Sequence, residues 1–322
     1  MAVNEGTLRR VVIIGSGFVG MSMAYSLINH RGIDELVLVD MQREKAEGEA
    51  LDLISCLPYA EGKVHVFAGS YSDCRDANVV LVSAGSHQRP GQTDEEYAER
   101  NTRTIKLIGE RIKDSGFNGV LVVATNPCDL MTYALWKTTG LPYKQVFGIG
   151  TMLDSARLRH QIGEFLELSP ESIYAYLLGE YGDNSFVSWT NCYVGCKSLL
   201  EIVEERQVPF QYLQSMYEQV RDANYEIVQK KKAAYYGVGM ALARLTDAIM
   251  NNENIILPLS AYQHLQYGHE GFYISTPAVV NRRGVREVIK LPFTAVDQEK
   301  FDRACQHVKY LIETVVDPTL AQ

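Results

Sequence analysis

The stretch Arg10-Val11-Val12-Ile13-Ile14-Gly15-Ser16-Gly17-Phe18-Val19-Gly20 decides how this chain is read. Its first five residues are almost wholly apolar, as a strand buried on both faces of a parallel sheet must be. A glycine turn follows, and Phe18–Asn29 then carries a helical pattern. In such a unit the first glycine, Gly15, allows the tight turn, and Gly17 lets the backbone approach a pyrophosphate. Gly20 lets the helix pack on the sheet, while the free amides of the helix N-terminus face the phosphates. Asp40 stands twenty residues after Gly20, at the end of a second apolar run, Leu36–Val39. A carboxylate there accepts hydrogen bonds from the ribose 2′-hydroxyl and repels a 2′-phosphate, so the pattern points to NAD rather than NADP. The bland alternative is a glycine turn that only permits packing.

Working outward, a helix is expected over Arg43–Leu57 and strands at Val64–Phe67, Val79–Ser83 and Val120–Ala124. A long helix near Glu95–Lys113 separates the last two. Strands alternating with helices predict right-handed crossovers and a doubly wound α/β sheet of Rossmann type. After about residue 150 the pattern changes. Leu153–Phe165 reads as helix and Ile173–Leu178 as strand, with long helices through 211–231 and 238–252. Alternating runs at Phe272–Thr276 and Val285–Leu291 precede a helix near 297–315. Two domains are expected, a dinucleotide-binding domain at 1–150 and an α+β substrate domain at 151–322. The helix near 238–252 is a candidate to pack back on the first. No repeat and no Pro-, Gly- or Ser-rich linker separates the halves.

Composition narrows the function classes. Of 322 residues, 46% are hydrophobic and 22% charged, which excludes disorder and low-complexity scaffolds. Acidic residues outnumber basic ones, 39 to 31, and the densest basic run is Lys230-Lys231-Lys232, so neither nucleic acid nor an anionic membrane is an expected partner. The longest apolar runs are far shorter than the roughly 20 residues of a spanning helix. Met1 to Thr7 carry no apolar signal-peptide core. Cys56, Cys74, Cys128, Cys192, Cys196 and Cys305 form no Cys-x-x-Cys pair and no metal-type spacing with His. They read as buried small side chains in a reducing compartment, hence a cytoplasmic protein without a metal.

Several segments occur in order beyond the glycine turn: Ser83-Ala84-Gly85, Gln88-Arg89-Pro90-Gly91, Thr125-Asn126-Pro127 and Leu153-Asp154-Ser155-Ala156-Arg157. Gly179-Glu180-Tyr181-Gly182-Asp183, Tyr235-Tyr236-Gly237 and Asn252-Glu253-Asn254 follow. Together they resemble the bacterial L-lactate dehydrogenases over about residues 8 to 315. Malate dehydrogenases share the fold but typically carry Arg at the position of Gln88, so the match is to the lactate type. The resemblance implies hydride transfer between the nicotinamide and a 2-oxo or 2-hydroxy acid, with a His paired to an Asp moving the proton. It places Asp154 as that Asp and Arg157 as the Arg that grips the substrate carboxylate bidentately. Lying three apart on one helix, the two can face one pocket; the alternative is a surface ion pair. Asn126 matches a residue that hydrogen-bonds the substrate oxygen beside the nicotinamide, and the Asn-Pro peptide is a candidate for the cis form. Val19, Lys45, Gly85 and Asn126 join Gly15, Gly17, Gly20 and Asp40 along the cofactor. Gln88 and Ala234 fall in the substrate pocket.

Three positions depart from the family pattern. The motif Gly-Glu-His-Gly-Asp has Tyr181 in place of the catalytic His. The lid pattern Gln-Lys-Pro-Gly-Glu-Thr-Arg ends here in Asp94 instead of the Arg that polarises the carbonyl. Ala234 replaces a pocket Thr. A phenol with an ordinary pKa of about 10 is a poor base near neutrality compared with imidazole at about 6.5, and an ionised Asp154 pushes it higher. Among the seven histidines, His87 at the base of the lid is the one placed near the pocket by sequence. The family also includes tetramers activated by fructose 1,6-bisphosphate through an Arg and a His. Arg159 matches the first and Tyr174 stands for the second, which puts that activation in doubt. Two readings stay open: an NAD-dependent oxidoreductase with weak or altered activity, working as a homotetramer or homodimer, and a catalytically silent NAD(H)-binding paralogue acting as a sensor or in mixed oligomers.

Overall fold

A computed structural model describes residues 8–89 and 91–322, so Pro90 of the lid pattern and Met1–Thr7 lie outside the described residues. The chain runs β1 Arg10–Ile14, α1 Phe18–Ile28, β2 Glu35–Val39, α2 Arg43–Cys56, β3 His65–Ala68, β4 Val79–Val82, α3 Asp94–Asp114 and β5 Val120–Val123. Next come α4 Cys128–Thr139, β6 Val146–Gly148, α5 Met152–Leu166, β7 Ile173–Tyr174, β8 Leu177–Gly179, β9 Ser185–Val187, β10 Tyr193–Val194, β11 Lys197–Ser198 and α6 Leu199–Glu205. It ends with α7 Phe210–Lys231, α8 Tyr236–Met250, β12 Ile255–His264, β13 Glu270–Asn281, β14 Gly284–Val288, α9 Ala295–Leu311 and α10 Asp317–Ala321.

Strands β3, β2, β1, β4, β5 and β6 lie side by side in that order, all parallel. Their continuous apolar runs follow from burial on both faces. Val11, Ile13, Leu36, Leu38, Leu81 and Val122 face the core under α1, α2 and α8. Their neighbours Val12, Ile14, Val37, Val80, Leu121 and Val123 face the opposite core under α3, α4 and α9. The parallel sheet then continues into the second half, because β12 pairs antiparallel with β6 at Ser260 and Gly148. Strands β13, β8 and β9 extend it, with β14 on β13. A third core forms where Leu158 and Ile162 of α5 meet Leu213, Met216 and Val220 of α7.

The structure departs from the sequence expectations at several points. Ile173–Leu178 is two short strands: β7 pairs with β10 in a separate three-stranded sheet, and β8 joins the main one. The chain changes sheets at Ala175–Tyr176. Phe272–Thr276 is the middle of the longer β13, whose long partner β12 had no expectation at all. Cys196 is exposed and Cys56 half-buried, so not every cysteine is a core side chain; all six are free thiols. No helix among the described residues is long and apolar enough to cross a membrane.

One buried carboxyl ties the halves together. Asp129, at the start of α4, is 2% exposed. It accepts a hydrogen bond from the Ser260 hydroxyl on β12 and another from the Tyr181 backbone N–H at 3.4 Å. Burial pushes its pKa up to about 7; the Ser260 hydrogen bond opposes this and the charge of Glu180 adds to it. A carboxyl whose folded pKa lies above its unfolded value of 3.8 holds its proton more tightly in the native state. Its contribution to stability is therefore full below about pH 4 and is lost as pH rises through 7. In urea titrations across pH 4 to 8, Asp129→Asn should remove that downward slope while keeping an acceptor for Ser260.

Candidate functional site

The turn after β1 is built as a phosphate cradle. Gly15 adopts φ +105°, and a Cβ there would lie 2.7 Å from the Ala84 nitrogen. On Gly20 a Cβ would strike the Gly15 carbonyl oxygen at 2.2 Å, whereas on Gly17 it would meet nothing within 4 Å. Gly17 thus faces open space at the N-terminus of α1, where backbone amides stay free for an anion. Ser16 donates to Asp40 Oδ2 from its backbone N–H and its hydroxyl, each at 2.8 Å, and Gln42 N–H donates to Oδ1 at 2.9 Å. Burial alone would raise the Asp40 pKa, but the Gln42 and Ser16 hydrogen bonds, helped by the charge of Lys45, bring it below the ordinary value. The carboxylate is ionised at the end of β2 and keeps acceptor capacity for a ribose hydroxyl. Val19 is half-buried and Lys45 exposed. These residues fit an NAD cofactor.

Across the same edge lie the segments after β4 and β5. Gly85 is exposed, and a Cβ on it would lie 2.4 Å from Thr125 Cγ2. The Asn126–Pro127 peptide bond is cis. Asn101 of α3, which no sequence argument singled out, is fully buried and binds these two segments together. Its Nδ2 donates to the Asn126 carbonyl at 2.7 Å and to the Ser86 carbonyl at 3.1 Å, while Oδ1 accepts from Ser86 N–H and hydroxyl. Gln88 and Asp94 are exposed and joined: Gln88 Nε2 donates to Asp94 Oδ1 at 3.0 Å. Asp94 is also the first residue of α3, behind a Thr93 capping box, where a negative charge is favoured.

Deeper in, α5 presents Asp154 and Arg157. Arg157 Nη1 donates to Asp154 Oδ1 at 2.7 Å, and Asp154 is 6% exposed. Burial pushes the Asp154 pKa up, and Arg157 opposes the shift. Asp154 is buried and Arg157 half-buried, so this is not an exposed surface ion pair. Tyr181 is half-buried near Asp154, Arg157, Cys128 and Tyr97, and its hydroxyl makes no hydrogen bond to a described residue. Burial first, and the Asp154 charge second, raise its pKa above the ordinary 10. Ala234 is half-buried beside Tyr235, whose ring stacks on Phe18 at 5.1 Å, so this pocket wall abuts the cofactor turn.

His87 is exposed, and its carbonyl accepts from Arg100 Nη2 at 2.6 Å. The imidazole that touches the Tyr181 turn is instead that of His307, whose Nδ1 donates to Glu180 Oε2 at 2.6 Å. Sequence reasoning passed over it because its partner is 127 residues away. Arg159 is half-buried near Tyr176, with Nε buried and unpartnered, while Tyr174 is 53% exposed.

Comparison with known proteins gives this geometry a family. Residues 9–148 match the family model for the lactate/malate dehydrogenase NAD binding domain. Residues 151–319 match that for the lactate/malate dehydrogenase alpha/beta C-terminal domain. An L-lactate dehydrogenase of Lactococcus lactis subsp. cremoris is 43% identical over 96% of this chain and 99% of its own length. L-lactate dehydrogenase 2 of Bacillus anthracis is 45% identical over 96% and 98%. Among solved structures, minor L-lactate dehydrogenase from Enterococcus mundtii in its ligands-bound form superposes with a TM-score of 0.92 at 42% identity, covering 96% of this chain and 98% of that one. With its parallel sheet, its glycine cradle over an ionised Asp40 and both halves matched, the chain belongs to the lactate/malate dehydrogenase family and takes NAD(H) as its cofactor.

Proposed function

We propose that the chain is a reductase of 2-oxo acids, of lactate dehydrogenase type, in which Tyr181 replaces imidazole as the proton donor. The observation that carries this reading is the convergence of Tyr181, Asp154 and Arg157 beside Cys128, two residues after Asn126. NADH, held by the glycine turn and Asp40, would supply the hydride. Arg157 turns from Asp154 to the substrate carboxylate, for which its fork is suited. Asn126 and Gln88 orient the substrate, and Gly85 admits it beside the cofactor. The proton on the Tyr181 phenol passes to the carbonyl oxygen as the carbon accepts hydride, giving the 2-hydroxy acid, and the phenolate regains a proton from water.

A raised phenol pKa makes this pocket one-sided. Tyr181 holds its proton throughout the neutral range, so it serves as an acid for reduction but is scarcely available as a base for oxidation. Asp94 supplies negative charge at the lid where charge stabilisation of the developing oxyanion is needed, so turnover of pyruvate is slow. The silent NAD(H)-binding alternative is favoured by one arrangement: Arg157 holds Asp154 and Gln88 holds Asp94, each within the protein. Exposed Tyr25, Leu51, Ile54 and Met240 on α1, α2 and α8 support self-association, as a homodimer or homotetramer in the cytoplasm. Activation by a sugar bisphosphate is not expected, because Tyr174 brings no positive charge to Arg159.

Three outcomes are expected. Steady-state kinetics in both directions should show oxidation of the 2-hydroxy acid rising about tenfold per pH unit from 7 to 9, as the phenolate fraction does. Tyr181→Phe should lower reduction by about 10²–10⁴-fold; an unchanged rate with an unchanged pH profile would remove Tyr181 from the reaction. Conversely, Tyr181→His combined with Asp94→Arg should raise pyruvate reduction by at least about 10²-fold, read as NADH consumption.

A further inference from the structure

The turn that carries Tyr181 has little regular structure of its own. Gly179 and Gly182 adopt φ +90° and +114°, conformations open to glycine at low cost. What fixes the turn is side chains. The Tyr181 N–H donates to buried Asp129 on one side. On the other, the Glu180 carboxylate accepts from His307 Nδ1 at 2.6 Å and from Asn184 Nδ2 at 2.8 Å. Glu180 is largely buried, with 13% of its side chain exposed, and His307 is 35% exposed.

His307 sits on α9, which also packs against β8 and contributes Phe301, Ala304 and Val308 to the core, so the imidazole is held by a rigid element. The groups facing it are mostly acidic: Glu180 from the turn, and Asp94 and Glu95 from the start of α3. On α9 itself Arg303 lies one turn before it and Tyr310 one turn after. The Glu180 hydrogen bond raises the His307 pKa above the ordinary 6.5; partial burial opposes this, and the charges of Glu180, Asp94 and Glu95 add to it. The ring is therefore charged further into the neutral range than a free histidine.

We infer that His307 is a positioning residue for Tyr181: its imidazolium holds the Glu180 carboxylate, fixes the 179–184 turn and so aims the phenol into the pocket. The inference rests on the reading that Tyr181 meets the substrate. It adds to the phenol the titration of a histidine that never touches substrate, while buried Asp129, which holds the same turn and titrates at about 7, stays unchanged in the His307 variants. As pH rises past the His307 midpoint, the turn loses its charged clamp and reduction slows, although Tyr181 still carries its proton. It also links the turn to the first residues of α3, because Asp94 and Glu95 share the same imidazolium.

The test uses the full-length protein. The His307 ring, followed by NMR, should titrate above pH 6.5 in the wild type and shift downward in Glu180→Gln. In kinetics, His307→Ala should lower kcat for reduction by about tenfold or more, within the about 100-fold that a ~1 Å misplacement costs, with the KM for NADH unchanged. The wild type should lose rate on the alkaline side of the His307 midpoint, and that limb should be absent in His307→Gln, which keeps a hydrogen-bond donor but no titration. A folded His307→Ala with wild-type kcat and the same alkaline limb would overturn the inference, as would an unmoved His307 titration in Glu180→Gln. A wild type that reduces no 2-oxo acid overturns the functional reading instead, and the NMR titration still reads the clamp.

Discussion

The hydrogen-bonded ion pair between Asp154 and Arg157 constrains everything around it. Both charges lie on α5, one largely and one mostly out of water, at 2.7 Å. Removing either would leave an uncompensated buried charge, a loss of about 3–5 kcal/mol. The pair therefore sets the electrostatics for each neighbour. In the reaction we propose, Arg157 releases Asp154 only for another carboxylate, the anionic end of the substrate. It also leaves the Asp154 charge beside Tyr181, which together with burial keeps the phenol protonated.

In the reaction we propose, that constraint lets a family scaffold be retained while its proton chemistry changes. An imidazole at position 181 would take a hydrogen bond and a charge from Asp154. A phenol cannot become a cation, and Asp154 accepts from Arg157. In the reaction we propose, the same residues form an acid-only site. Asp94 is satisfied by Gln88 and by the N-terminus of α3, so its negative charge has structural partners of its own.

Much of this was legible in the sequence, for identifiable reasons. The parallel strands announce themselves because burial on both faces demands continuous apolar runs, and Gly15, Gly20 and Asp40 fill backbone and charge roles that few residues can. Asp154, Arg157 and Tyr181, which the fold brings together, were singled out through ordered motifs. Strand β12 was not, because Pro258, Ser260, Gln263 and His264 break its apolar pattern. Its buried polar groups are matched by distant partners, Ser260 by Asp129 and Gln263 by Thr276. Asn101, Asp129 and His307 were missed for a related cause. Each acts through a residue remote in sequence, and no local period marks a polar side chain whose partner lies across the fold. The histidine placed at the pocket by adjacency, His87, is exposed at the lid base, whereas the one at the Tyr181 turn comes from the last long helix.

Everything turns on whether a phenol in this pocket moves a proton to a reduced carbonyl. The most direct measurement is NADH consumption by the purified wild-type protein with pyruvate and a panel of other 2-oxo acids, with NADH binding measured in parallel. Consumption with at least one 2-oxo acid, at a rate below the usual enzymatic median of about 10 per second, is the predicted result. Tight NADH binding with no consumption across the panel would contradict it and leave the silent, cofactor-binding reading in its place.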